Sequence, residues 1–131
     1  MIPYISSFVN KLLLSVDFLE KFLPILKNNP EKAVTFVDNH DVERIYTKLT
    51  NKAHFVPVHI MLYTLPGIPS IYYGSEFGIE GRKERGSDDS LRPMMKYEDY
   101  KALSDTNPCV KLIRALGKIH NNTPALCYGD Y

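Results

Sequence analysis

Apolar residues Phe8, Leu12, Val16, Leu19, Leu23 and Leu26 recur at spacings of three and four, which predicts an amphipathic helix over about residues 6–27. Asn28-Asn29-Pro30 closes it with turn chemistry. Ala33-Val34-Thr35-Phe36-Val37 has no such period. It is a nearly continuous apolar and β-branched run, which predicts a strand over 33–37 buried on both faces, as in a parallel sheet. The helical period returns from about Ala53 to Leu65, with Phe55, Val58, Leu62 and Leu65 on one face, and Pro66-Gly67 ends it. Residues 68–73 read as a second buried strand. From 77 to 105 glycine and charge replace the pattern, which predicts a long loop of the kind that forms lids and substrate walls. Asn107-Pro108 pairs a capping residue with proline at the first helical position, and Val110, Ile113, Leu116 and Ile119 mark a last helix over 108–120. Ala125 to Tyr131 reads as the start of another strand. The order of helix, strand, helix, strand and helix places the chain in the α/β class.

Composition narrows the partners. Of 131 residues, 44% are hydrophobic and 24% charged, values of a globular domain. A net charge of +1, with lysine and arginine scattered along the chain, leaves no footprint for nucleic acid or an anionic membrane. The apolar stretch near Leu12 is broken by Lys11, Asp17, Glu20 and Lys21, well short of the roughly 18 apolar residues of a membrane span. The chain is therefore expected in the cytoplasm. Cys109 and Cys127 lack the spacing of a disulfide scaffold or a zinc site and read as reduced thiols.

Chemistry concentrates at the end of the first strand, in Asp38-Asn39-His40-Asp41. Four polar side chains after a buried strand are costly to desolvate unless hydrogen-bonded or used, and α/β barrels assemble their sites at this end. A metal hydrolase drawing on His40, Asp41, Asp38, His54 and His59 is a remote alternative, because the last two fall on or near a helix without paired ligand spacing.

The run Phe36-Val37-Asp38-Asn39-His40-Asp41 resembles the strand-seven motif of the α-amylase family of glycoside hydrolases. Gly67-Ile68-Pro69-Ser70-Ile71-Tyr72-Tyr73-Gly74-Ser75-Glu76 resembles its strand-eight motif. The flanking Val42-Glu43-Arg44-Ile45 and Phe77-Gly78-Ile79-Glu80-Gly81 are similar to the neopullulanase and cyclomaltodextrinase branch. The resemblance implies a C-terminal fragment of a (β/α)8 barrel, carrying strands seven (33–37) and eight (68–73) with their helices. It also implies retaining cleavage of α-1,4 or α-1,6 glucosidic bonds in an α-glucan or maltooligosaccharide, with no cofactor.

By that resemblance Asp41 is the carboxylate that stabilises the transition state and His40 hydrogen-bonds the same sugar, with Asn39 beside them. Asp89 and Arg92, in Asp88-Asp89-Ser90-Leu91-Arg92-Pro93, line outer subsites by a looser match. Tyr73 offers a stacking face, while Glu76 and Arg44 brace the strand ends. The family's nucleophile, in a Gly-x-Arg-x-Asp setting, and its general acid have no counterpart among these residues. Asp38 and Asp41 cannot replace them, because two groups on one strand end do not readily flank a glycosidic bond. The expectation is a catalytically incomplete piece, a truncated or split gene product. Its exposed strand edges would lead it to self-associate or to need a complementing barrel chain. The alternative is a non-catalytic oligosaccharide-binding or barrel-complementing module.

Overall fold

The computed structural model describes Pro24, Asn28 and residues 33–129. The helix read over about 6–27 therefore lies, Pro24 apart, outside the described residues. Strand β1 (Val34–Phe36) leads through the short helix α1 (Ile45–Lys48) and a 3-10 turn (Lys52–His54) into helix α2 (Phe55–Thr64). Strand β2 (Ile68–Ser70) then pairs parallel to β1, with Val34 opposite Ile68 and Phe36 opposite Ser70. Parallel pairing needs such a crossover, and α2 supplies it.

Both strands are shorter than the apolar runs that predict them, and β2 ends at Ser70 rather than Tyr73. Proline at 69 offers no N–H to the ladder, and the chain turns into the site beyond Ser70. Gly67, at φ 125°, leads into β2 in a conformation and a space closed to other residues: a Cβ there would lie 2.9 Å from both the Ala33 carbonyl and Thr35 Cγ2. Burial on both faces does not hold. Thr35 and Val37 are buried, whereas Val34 and Ile68, side by side on the other face, are 37% and 49% exposed.

The core lies between this sheet and the helices. Val37, Ile45, Leu49, Phe55, Val58, Leu62 and Tyr63 form its buried cluster, with Leu112, Ile113 and Leu116 from later in the chain packed against it. Burying a leucine such as Leu62 contributes roughly 1.5–3 kcal/mol. Residues 77–105 are not structureless: the 3-10 turn Ser75–Phe77 runs into them, Glu84 and Ser87 form an antiparallel bridge, and helix α3 spans Tyr97–Lys101.

Helix α4 (Pro108–Asn122) begins where Asn107 Oδ1 accepts from the Cys109 and Val110 N–H groups, at 2.9 and 3.2 Å. Ile119 is 55% exposed and stands off the apolar stripe. Its neighbour His120 is buried instead, and its Nδ1 lies 2.9 Å from the Tyr63 carbonyl. A carbonyl only accepts, so this nitrogen carries the proton and ties α4 to α2. The residues after α4 form a further helix, α5 (Pro124–Tyr128), where a strand was expected. Pro124 at its first position suits a helix start, and no partner strand lies beside it among the described residues.

Candidate functional site

The four polar residues that follow β1 divide into a buried and an exposed part. Asp38 is 1% exposed, and its Oδ2 accepts from the Ile45 N–H at 2.8 Å and from the Ser75 hydroxyl at 2.7 Å. Burial pushes its carboxyl above the usual value, opposed by the Ile45 and Ser75 hydrogen bonds and the nearby Arg44 charge. Asn39 Oδ1 accepts from the Asp41 N–H at 2.9 Å, a local turn that sends the chain outward. His40 and Asp41 therefore stand on the surface, their side chains 55% and 60% exposed, with His40 Nε2 3.2 Å from Asp41 Oδ2.

The loop brings Arg92 to them. Its Nη2 lies 3.5 Å from Asp41 Oδ1 and 3.2 Å from Asp88 Oδ2, and its Nε is 3.5 Å from the His40 carbonyl. Asp88, not Asp89, shares Arg92. The Asp89 side chain is exposed, and its N–H donates to Ser87 Oγ at 3.1 Å. Lys83 also pairs with Asp88, and its hydrogen bond, aided by the Lys83 and Arg92 charges, holds that carboxyl below its usual value. A cavity of about 250 Å³ opens beside this pair, lined by Lys83, Glu84, Gly86, Ser87 and Asp88.

Tyr73 sits at the edge of the group, 41% exposed, donating its hydroxyl to the Pro93 carbonyl at 3.1 Å. Its ring meets Tyr72 edge-on at 4.7 Å between centroids, and Tyr72 lies 6.5 Å from the His40 ring. Arg44 is wholly buried beneath, bonded to the Tyr73 carbonyl, Ser75 Oγ and the Leu91 carbonyl at 2.6, 3.1 and 2.8 Å. Glu76 Oε2 is buried without a hydrogen-bond partner among the described residues. His59, considered above as a metal ligand, is buried in α2, where Nδ1 donates to the Phe55 carbonyl at 2.8 Å. Among the described residues no group of three or more His, Cys, Asp or Glu side chains converges on a cation position. Ser75 and Asp88 are partners that the sequence reading missed.

Imidazole, guanidinium, carboxylate and amide together offer donors and acceptors suited to a neutral, hydroxyl-rich ligand. A parallel strand–helix–strand unit with such groups at the carboxyl ends of its strands is the arrangement of an α/β-barrel enzyme. The chain belongs to the α-amylase family of glycoside hydrolases: the family described as "Alpha amylase, catalytic domain" matches residues 10–124. It is 32% identical over 97 residues to the cyclomaltodextrin glucanotransferase of Bacillus sp. (strain 1011), covering 74% of this chain and 12% of that protein.

Among solved structures it superposes on CldA, a cyclomaltodextrin glucanotransferase with a three-domain ABC distribution, with TM-score 0.74 and 31% identity over 96% of this chain and 25% of that one. The α-amylase of Geobacillus thermoleovorans, solved with acarbose, shares the fold at TM-score 0.65 and 23% identity, covering 86% of this chain and 25% of that one. The chain thus has the fold of part of a TIM barrel and spans a small share of its relatives' length. Among the described residues no helix is long and apolar enough to cross a membrane.

Proposed function

We propose that these residues carry barrel strands seven and eight of an α-glucan-acting enzyme and form one wall of its sugar site. The observation that carries this reading is the exposed Asp41, flanked by His40 and Arg92 at the strand ends. In a retaining mechanism positive charge develops on the sugar ring, and a carboxylate held in place beside it stabilises that charge. Asp41 takes this role, while His40 and Asn39 bind hydroxyls of the same sugar and Arg92 and Tyr73 contact the next.

The nucleophile and general acid come from outside these residues, because the neighbouring Asp38 is buried and already bonded to Ile45 and Ser75. The exposed Val34 and Ile68 suit this reading, since a barrel interior would cover them. Both hydrolysis and transfer belong to the proposal, with the neopullulanase branch as one form of it. So does the binding-only module, whose site is the same.

The test is retention of maltooligosaccharides by the folded chain, with hydrolysis of maltooligosaccharide, pullulan and cyclodextrin assayed beside it and Asp41→Ala as control. Binding without turnover, lost in the variant, supports the reading. Turnover abolished by Asp41→Ala would show that a nucleophile and acid are supplied after all. Binding unaffected by the variant would sink the site assignment.

A further inference from the structure

Arg44 is wholly buried, yet among the described residues its side chain donates to neutral oxygens: the Tyr73 and Leu91 carbonyls and Ser75 Oγ. Only Ser75 passes the charge on, to the Asp38 carboxylate. Burying a guanidinium to hold main-chain oxygens is a costly way to close a loop, so the geometry it imposes is informative. Nη1 holds the segment after β2 at Tyr73 and Nη2 holds the loop at Leu91, so one planar group sets the distance between the two. The Arg44 backbone holds the other end of the loop, its N–H donating to the Gly81 carbonyl at 3.0 Å. There the chains pass so closely that a Cβ on Gly81 would collide with the Ser90 carbonyl.

These anchors bracket one residue. Leu91 is bonded to Arg44, Pro93 is bonded to the Tyr73 hydroxyl, and Arg44 also holds the Tyr73 carbonyl and stacks over the Tyr72 and Tyr73 rings at 4.2 and 5.0 Å. Between them Arg92 has only its side chain to place, and it falls beside Asp41 and Asp88. We propose that Arg44 is a positioning residue: by clasping Leu91 and Tyr73 in one planar fork it sets Arg92 beside Asp41 and fixes the sugar-contacting edge formed by Arg92 and Tyr73. The second half of that statement rests on the sugar-site reading above. The first half does not.

Arg44→Lys tests it in the full chain, because a lysine keeps the charge but has one nitrogen and no plane with which to span two carbonyls. Three quantities are measured: the Arg92 Nε–H nuclear magnetic resonance signal with its cross-peaks to His40, the resonances of core residues Leu62 and Val110, and the affinity for maltoheptaose. The expected result is an unchanged core, an Arg92 signal moved to its free position without the His40 cross-peaks, and affinity lowered about tenfold, as for loss of one charged hydrogen bond. An Arg92 signal unchanged in a folded variant overturns the proposal. If the lysine variant does not fold, the unsubstituted chain decides: as urea is raised the Arg92–His40 cross-peaks should vanish together with the Arg44 Nε–H signal, and cross-peaks that outlast that signal overturn the proposal. If the Arg92 signal moves but the unsubstituted chain does not bind maltoheptaose, the positioning role stands and the sugar reading falls.

Discussion

Asp38 and Asp41 stand three residues apart after the same strand, yet they live in opposite environments. Asp38 is 1% exposed, with its carboxylate taken up by Ile45 and Ser75. The Asp41 side chain is 60% exposed and, among the described residues, meets His40 and Arg92, side chains that a ligand could share or displace. The contrast separates two uses of one residue type. A buried carboxylate joined to Arg44 through Ser75 holds three chain segments together, whereas an exposed one with loose partners is free to act on something else.

Asp38→Ala should produce the largest effect. It leaves the Arg44 charge without its indirect counter-charge and the Ile45 N–H without an acceptor. Leaving a buried donor without its acceptor costs about 1–3 kcal/mol, and here the Ile45 N–H and the Ser75 hydroxyl both lose theirs beside the buried Arg44, a large share of a domain's stability. Urea denaturation would show it, and a variant as stable as the parent would erase the distinction between the two aspartates.

Next is His59, the buried counterpart of the exposed His40. Among the described residues its Nε2 has no hydrogen-bond partner, its ring lies 3.9 Å from that of Phe55, and burial lowers its pKa from 6.5 to about 4. Because the folded state binds its proton less readily than the unfolded state, stability is complete above pH 6.5 and falls as acid takes the pH towards 4. The linked loss is about 3 kcal/mol. Asp38, whose folded pKa is raised, acts with the opposite sign as pH rises above 3.8. The difference between the parent and His59→Leu, followed by unfolding from pH 7 to 4, therefore isolates the histidine. Parallel curves would show that burial of this ring has no cost in protonation.

Ser75→Ala removes the hydroxyl through which Arg44 reaches Asp38 and should cost about 1–3 kcal/mol in the same denaturation experiment. A neutral result would mean that Arg44 and Asp38 hold without a relay. The smallest effect on stability belongs to Asp41→Ala, within about 0.5 kcal/mol of the parent. Its maltooligosaccharide binding should nonetheless be lost. A marked drop in its unfolding midpoint would mean that Asp41, too, belongs to the framework.

Much of the framework could be read locally. Asn107-Pro108 starts α4 because a cap and a fixed φ need only neighbouring residues, and Pro66-Gly67 ends α2 for similarly local reasons. Local pattern was a poorer guide where length and partners matter. Ala125 to Tyr131 has strand-like content, but among the described residues it finds no edge to pair with, and Pro124–Tyr128 coils instead. The choice of Asp88 over Asp89 beside Arg92 likewise turns on the exact path of a loop, which one residue of register reverses.

The sequence by itself determined the class of the chain, the crossover between two parallel strands and the place where polar groups gather, because periodicity, caps and motifs are encoded by residues near one another. Only the tertiary structure decided which aspartate is buried, which histidine is wet and what Arg44 holds. Those outcomes depend on contacts such as Arg44 with Leu91 and Asp38 with Ser75, between residues far apart in the chain. Desolvation is a property of the assembled surroundings, and no short stretch of sequence contains them.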